Sequence, residues 1–179
     1  MKSGLIIFTT SNNLFGRVQH AVEGGLATHV AEAYWSFERS RYEVLEMSIR
    51  AVSTELKAWW AKHGVSVLSV ADLDLSGRQV IAWDECAATE LMAHRWYDVG
   101  FLFGFLYRPL ARRFGKAKRD ICSEQAVRLI KASWSECLFP GLDWHLVSPA
   151  DLHRYVGQTV RDVKKEVDAY VGADRKNIG

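Results

Sequence analysis

The chain has 179 residues, a length that fits one domain with at most a short appendage. Hydrophobic residues make up 49% of it and charged residues 25%, which argues against a disordered chain, and the formal net charge of +2 is too small to indicate a nucleic-acid-coating protein. The 3 cysteines are odd in number and contain no CxxC pair. A disulfide framework and a cysteine-rich zinc site are therefore not expected, and the free thiols indicate a reducing compartment.

In chain order, the first half of the sequence alternates short strand patterns with helical ones. Buried β-branched runs and period-two alternation predict strands, whereas apolar spacing of three and four predicts helices. These patterns predict a strand at 4–9, a helix at 14–23, a hairpin of strands at 28–35 and 42–49, a helix capped by Ser53 and stopped at Gly64, and a strand at 65–70.

The second half of the sequence is mostly helical in pattern. The predicted elements are a helix capped by Asp84 and running to 97, an apolar run at 99–107, a basic connection at 111–120, a helix at 122–134, and a helix that begins at Ser148-Pro149 with Asp151 in its capping box. The apolar run is far shorter than the roughly 20 residues of a membrane span. We therefore expect an α+β domain at 1–159 and a charged C-terminal helix or tail at 160–179.

Cys122 is the cysteine with the strongest signal for chemistry. It begins a predicted helix, where the dipole and unpaired N–H groups stabilise a thiolate, and Arg119 adds positive charge nearby. The alternative is a buried structural thiol, which is the usual role of a free cysteine. Cys86 lies in an apolar helical pattern and Cys137 in a loop, so both are expected to be structural.

A thiol nucleophile needs a base and a group that orients the base. His29 begins a strand pattern and is the candidate base, with a half-buried structural histidine as the alternative. In the next strand, period-two alternation puts Glu46 on one face and Glu43 on the other. Glu46 is the candidate orienting carboxylate because its strand is expected to pair with that of His29. A solvent-facing acid is the alternative.

The order of these residues resembles a known family. Thr28-His29-Val30 is followed by Leu45-Glu46-Met47, then by Val52, Leu56 and Trp59, then by Tyr97-Asp98, and finally by Cys122-Ser123-Glu124 at a helix start. This order resembles the YiiX-like branch of the NlpC-type cysteine peptidases, which are circularly permuted papain-like amidases. Met47 and Gln125 depart from the residues usual at those positions of the family. The resemblance covers residues 3 to 156.

The resemblance implies a circularly permuted papain-like fold, with a small antiparallel sheet or partial barrel packed against helices. It also implies a catalytic triad of Cys122, His29 and Glu46, with Tyr97 and Asp98 in the substrate cleft. The backbone N–H of Cys122, free at the helix start, is the expected oxyanion donor. No metal or other cofactor is expected.

The implied activity is a cysteine hydrolase that cleaves an amide or peptide bond, for example in a cell-wall peptide. Two alternatives stay open: a thiol-dependent acyltransferase or lipid esterase of the lecithin-retinol acyltransferase type, and a non-enzymatic binding module on the same fold. The expected partner is a small peptide, amide or acyl substrate, without nucleic acid or a membrane span. Because no signal peptide is apparent, a cytoplasmic location is expected, with a virus-encoded origin as a further alternative.

Overall fold

A computed structural model of the chain describes residues 4–11, 16–17, 20–21, 24–47, 50–93, 96–97, 119–120, 122–133 and 147–172. Its centre is a six-stranded antiparallel sheet in the order β4-β3-β2-β1-β5-β8. The strands are β1 (Leu5–Thr9), β2 (His29–Ser36), β3 (Arg41–Met47), β4 (Ala51–Glu55), β5 (Val67–Asp72) and β8 (Arg161–Asp162). Two short strands, β6 (Trp96–Tyr97) and β7 (Arg119–Asp120), pair in parallel apart from this sheet.

Helices cover both faces of the six-stranded sheet. They are α1 (Leu56–His63), α2 (Gly77–Met92), α3 (Cys122–Ser133), α4 (Pro149–Thr159) and α5 (Lys164–Gly172). One core lies between the sheet and helices α2, α3 and α4, and the second lies between the sheet and helices α1 and α5. Both faces of the central strands are therefore buried, which explains why β1 is buried at every position and apolar from Leu5 to Phe8 rather than alternating.

The predicted strands at 4–9, 28–35 and 42–49 correspond to β1, β2 and β3. The connection between β2 and β3 is a turn at 37–40, where Ser40 has a φ of 49°. The predicted strand at 65–70 is shifted, because residues Gly64–Ser66 form a 3-10 turn before β5 begins. Of the predicted helix at 14–23, only residues 16–17 and 20–21 are described, and these are helical.

Ser53 does not cap a helix. It lies in β4, a strand that the sequence pattern missed, and α1 begins three residues later at Leu56. Pairing of β4 with β3 outweighs the local capping preference of serine. The Ser53 hydroxyl instead hydrogen-bonds the Tyr34 hydroxyl at 2.8 Å and donates to the carboxylate of Glu43.

Asp84 does not begin a helix either. It lies inside α2, which starts seven residues earlier after Ser76, and its side chain is buried against the sheet. The true start has the sequence signature of a capping box, since Gln79 accepts from the Ser76 backbone N–H at 2.9 Å. The predicted start of α4 agrees with the structure, because Ser148 Oγ accepts from the Asp151 backbone N–H at 3.1 Å.

The charged segment after residue 160 packs against the sheet over its described part. β8 pairs with β5, and α5 buries Val167 and Val171 in the core that it shares with α1. Trp60 of α1 donates from its indole to Asp168 of α5 at 3.0 Å. One amphipathic face of α5 is thus docked while its charges face solvent.

We predict that Val167→Ala lowers the free energy of unfolding by about 2 kcal/mol, since it removes buried methyl groups and leaves a cavity. Val65→Ala is the matched control because Val65 is fully exposed, and it should change stability by less than about 0.5 kcal/mol. Urea denaturation of both variants measures the difference. Equal effects would show that α5 is not packed on the sheet in solution.

Candidate active site

A histidine and a carboxylate on neighbouring strands contact each other at the start of β2. Glu46 is opposite Ala31 in the β2–β3 ladder, so strand alternation puts it on the face of His29, two residues earlier. His29 Nε2 donates to Glu46 Oε1 at 3.0 Å, and Trp59 Nε1 of α1 donates to Glu46 Oε2 at 2.9 Å. Both carboxylate oxygens are therefore occupied, which fixes the direction in which the imidazole points.

Cys122 reaches the same imidazole from the other side of the sheet. It is the first residue of α3, and it is buried with Ala126, Leu129 and Ile130 in the core on the opposite face from Trp59. His29 is the first residue of β2. At this start of the strand, α3 from one face of the sheet and the Glu46 carboxylate from the other face can both reach the imidazole. The His29 ring hydrogen-bonds Glu46 and is also close enough to the Cys122 side chain for the two to interact electrostatically.

The pKa values of the pair move in opposite directions. Burial alone would lower the pKa of His29, but the charge and hydrogen bond of Cys122, followed by those of Glu46, raise it to about 10. Burial alone would raise the pKa of Glu46, but the hydrogen bond and charge of His29, together with the Trp59 indole, lower it to about 2. This environment favours an imidazolium at His29 beside an ionised carboxylate at Glu46.

The structure brings together Cys122, His29 and Glu46, the three residues predicted as a triad. Tyr97 lies in β6, where only its backbone is described, and Asp98, Cys137 and the apolar run at 99–107 lie outside the described residues. The predicted oxyanion donor, the backbone N–H of Cys122, stands at the helix start, where the helix itself offers no acceptor.

Trp59 is part of the residue order that resembles the family, but the resemblance assigned it no role in the site. Its indole holds Glu46, and its ring stacks on His63 with centroids 4.9 Å apart. One signal could have indicated this contact: α1 directly follows β4, the neighbour of β3, and Trp59 lies one turn into α1. Its function could not be read from spacing alone, because the contact depends on how α1 packs on the sheet.

Glu43 lies on the opposite face from Glu46, as alternation predicts, but it is not a solvent-exposed acid. It is fully buried and accepts from Arg39 at 3.0 Å and from Arg41 at 2.9 Å, as well as from Ser53. These three donors outweigh burial and lower the pKa of Glu43. Replacing Glu43 would therefore lower the stability of the fold. Glu55, whose carboxylate is partly exposed, is the better control for substitutions of Glu46.

A cavity of about 370 Å³ opens elsewhere, near the edge of the sheet that carries β8. It is lined by Phe8, Ser69, Ala71, His153, Arg154, Val160 and Asp162. None of the three candidate catalytic residues lines it.

Across the described residues, no helix is both long and apolar enough to span a bilayer.

Comparison with known proteins identifies the fold. No family model and no curated protein matches the sequence. Among solved structures, the protein is similar to the crystal structure of metalloprotein YiiX from Escherichia coli O157:H7, with 18% sequence identity and a TM-score of 0.58. The match covers 89% of this chain and 84% of that chain. The protein therefore has a YiiX-like α+β fold.

The His29–Glu46 pair should leave a signature in the pH dependence of stability. The depressed pKa of Glu46 contributes stability that is present above a pH of about 4.5 and is lost as the pH falls through about 2. The raised pKa of His29 contributes stability that is present below pH 6.5 and is lost as the pH rises through about 10. We predict that Glu46→Gln destabilises the protein most between pH 4.5 and 6.5.

Urea denaturation over a pH series tests this window, with Glu55→Gln as the control. Glu55 carries a partly exposed carboxylate on the next strand that pairs with Arg41, so its replacement should have a small and nearly pH-independent effect. A Glu46→Gln effect of constant size across the whole series would contradict the ion pair.

Proposed function

We propose that the protein is a cysteine hydrolase of the permuted papain-like type, which cleaves an amide or peptide bond through an acyl-enzyme. The observation that carries this proposal is the position of His29, which hydrogen-bonds Glu46 through Nε2 and is electrostatically coupled to Cys122. A nucleophile, a base and an orienting carboxylate are linked in series, which is the arrangement that covalent acyl transfer requires.

The residues have complementary roles in the proposed reaction. The Cys122 sulfur attacks the carbonyl carbon, and the carbonyl oxygen becomes an anion that the Cys122 backbone N–H can stabilise. The His29 imidazolium then gives its proton to the leaving amine as the C–N bond breaks, which leaves a thioester. His29 next takes a proton from water, whose oxygen attacks the thioester, and returns a proton to the departing sulfur.

Glu46 acts in this scheme through His29. As an anion it stabilises the imidazolium and holds the ring so that its Nδ1 is the nitrogen left to face the thiol. Trp59 holds Glu46 in turn, so the geometry of the base is set by a donor from α1. We propose Tyr97 and Asp98 as cleft residues on the resemblance to the family.

The YiiX-like fold supports this proposal at the level of architecture. YiiX is described as a metalloprotein. In the part of this chain that the structure describes, no group of three or more His, Cys, Asp and Glu side chains is placed to hold a metal ion. His29 Nε2, a natural metal donor, is engaged by Glu46 instead. The described residues do not fit a metal, and no step of the proposed reaction uses one.

The decisive experiment detects the acyl-enzyme. The protein is incubated with a peptidyl probe and an acyl-ester probe, and mass spectrometry locates any adduct. Label on Cys122 that requires His29 supports the proposal, and the preferred probe separates an amidase from an esterase or acyltransferase. Cys122→Ala should reduce turnover below about 1% while the protein stays folded. Turnover retained in that variant would exclude the covalent mechanism.

We predict that Glu46→Gln lowers kcat/KM about 10- to 1000-fold, less than the loss known for serine triads because a thiol depends less on its base. Turnover in the unchanged protein should fall as the pH rises through about 10, where the imidazolium is lost. Without the Glu46 charge this alkaline limb should move to lower pH. Glu55→Gln should change kcat/KM less than about threefold. Equal losses in the two variants would overturn the role of Glu46.

A further inference from the structure

The cavity of about 370 Å³ at the β8 edge of the sheet has a floor made by one face of three strands. Phe8 of β1 is the register partner of Ser69 of β5, and Asp162 of β8 is the partner of Ala71, the next residue of β5 on that face. Because Ser69 and Ala71 are small, they leave space between β5 and α4. The volume lies at the lower end of the roughly 300–1,000 Å³ that small-molecule sites occupy, which favours a small ligand.

His153 of α4 covers this floor and is held by two contacts. Its Nε2 lies 3.1 Å from Ser69 Oγ, and its ring packs on Phe8 with centroids 4.9 Å apart. A hydroxyl has two acceptor positions, so Ser69 keeps at least one of them for a ligand whichever atom of the pair donates. Burial is the main influence on the pKa of His153 and lowers it against the opposing charge of Asp162. The imidazole is therefore neutral at physiological pH.

The cavity walls carry one cation and one anion, and each has capacity left for a ligand. Arg154 donates from Nη2 to Asp151, its side chain is 51% exposed, and no described residue engages the rest of its fork of N–H donors. Asp162 accepts from the backbone N–H groups of Val70 at 2.9 Å and Lys164 at 3.0 Å, both through Oδ1. Among the described residues, nothing donates to its Oδ2.

We propose that this cavity binds a free amino acid with a small apolar side chain, whose carboxylate pairs with Arg154 and whose ammonium group pairs with Asp162. With His153 neutral, the lining carries one positive and one negative charge, which matches a zwitterion. A simple anion would face the like charge of Asp162, and a simple cation would face that of Arg154. Both are therefore disfavoured relative to a ligand that carries the two charges together.

The apolar part of the lining determines which side chain fits. Phe8, Ala71 and Val160 line the cavity together with the polar groups, so an apolar side chain is buried favourably there, whereas a charged one would lose its hydration without gaining a partner. The proposal does not depend on the proposed hydrolase, because neither Cys122 nor His29 lines the cavity.

The first experiment is isothermal titration of the unchanged protein with L-valine and with two analogues that each lack one charge. Valinamide lacks the carboxylate, and isovalerate lacks the ammonium group. L-valine should bind at least about 10-fold more tightly than either analogue, because each analogue gives up one charge-assisted hydrogen bond. L-valine should also shift the NMR signals of the His153 ring, which lines the cavity.

The second experiment repeats the titrations with Arg154→Gln and Asp162→Asn. Asparagine keeps an oxygen that can accept from both backbone N–H groups, so Asp162→Asn removes the charge with little disturbance. Each variant should weaken L-valine binding about 10-fold. Arg154→Gln should not weaken valinamide, and Asp162→Asn should not weaken isovalerate, because each analogue lacks the group that the lost charge would bind.

Arg161→Gln is the matched control for Arg154→Gln. Arg161 is also an exposed guanidinium paired with an acid, Glu166, but it does not line the cavity, so its replacement should leave L-valine binding unchanged. Urea denaturation checks that each variant is folded, and the analogue series on the unchanged protein decides the question if one is not.

Three results would overturn the proposal. The first is no measurable binding of L-alanine, L-valine or L-leucine to the unchanged protein. The second is equal binding of L-valine and its two analogues, which would mean that the opposite charges do not recognise the ligand. The third is full retention of L-valine binding in both Arg154→Gln and Asp162→Asn, which would mean that the amino acid occupies another part of the protein.

Discussion

The hydrogen bond between His29 and Glu46 joins two neighbouring strands at the one place where both helical layers of the described fold can reach the same imidazole. The carboxylate comes from the face covered by α1, and the thiol comes from a helix on the opposite face. Only the end of a strand permits this, because along its length the sheet separates the two layers. The position of His29 as the first residue of β2 is therefore the constraint from which the geometry of the site follows.

Three glutamates on two adjacent strands show how strongly environment decides the chemistry of a carboxyl. Glu43 is buried with two arginines and a serine, which stabilise its anion. Glu46 is held by an imidazole and an indole and is also an anion, whereas Glu32 is buried with no donor among the described residues and favours the neutral acid. The same side chain thus serves as a structural ion, an orienting group and a buried acid within one sheet.

Much of the site was predictable because its signals are local. The helix start marks Cys122, the strand pattern marks His29, and period-two alternation separates Glu46 from Glu43. The order of these residues along the chain also indicates a YiiX-like arrangement. The strands β1, β2 and β3 and the capped start of α4 follow from the same kind of signal, since their residues satisfy nearby backbone groups or one continuous apolar face.

The sequence by itself therefore determined the class of fold and the identity of the three candidate catalytic groups. Only the tertiary structure decided which groups are paired and which are buried. Ser53 lies in a strand because β4 pairs with β3. Asp84 lies inside a helix that begins earlier, after the capping box at Ser76. Trp59 gained its contact with Glu46, and Glu32 its burial, from packing between elements distant in sequence. Such contacts depend on distances that no residue spacing encodes, since helix packing and sheet order fix them only when the whole chain has folded.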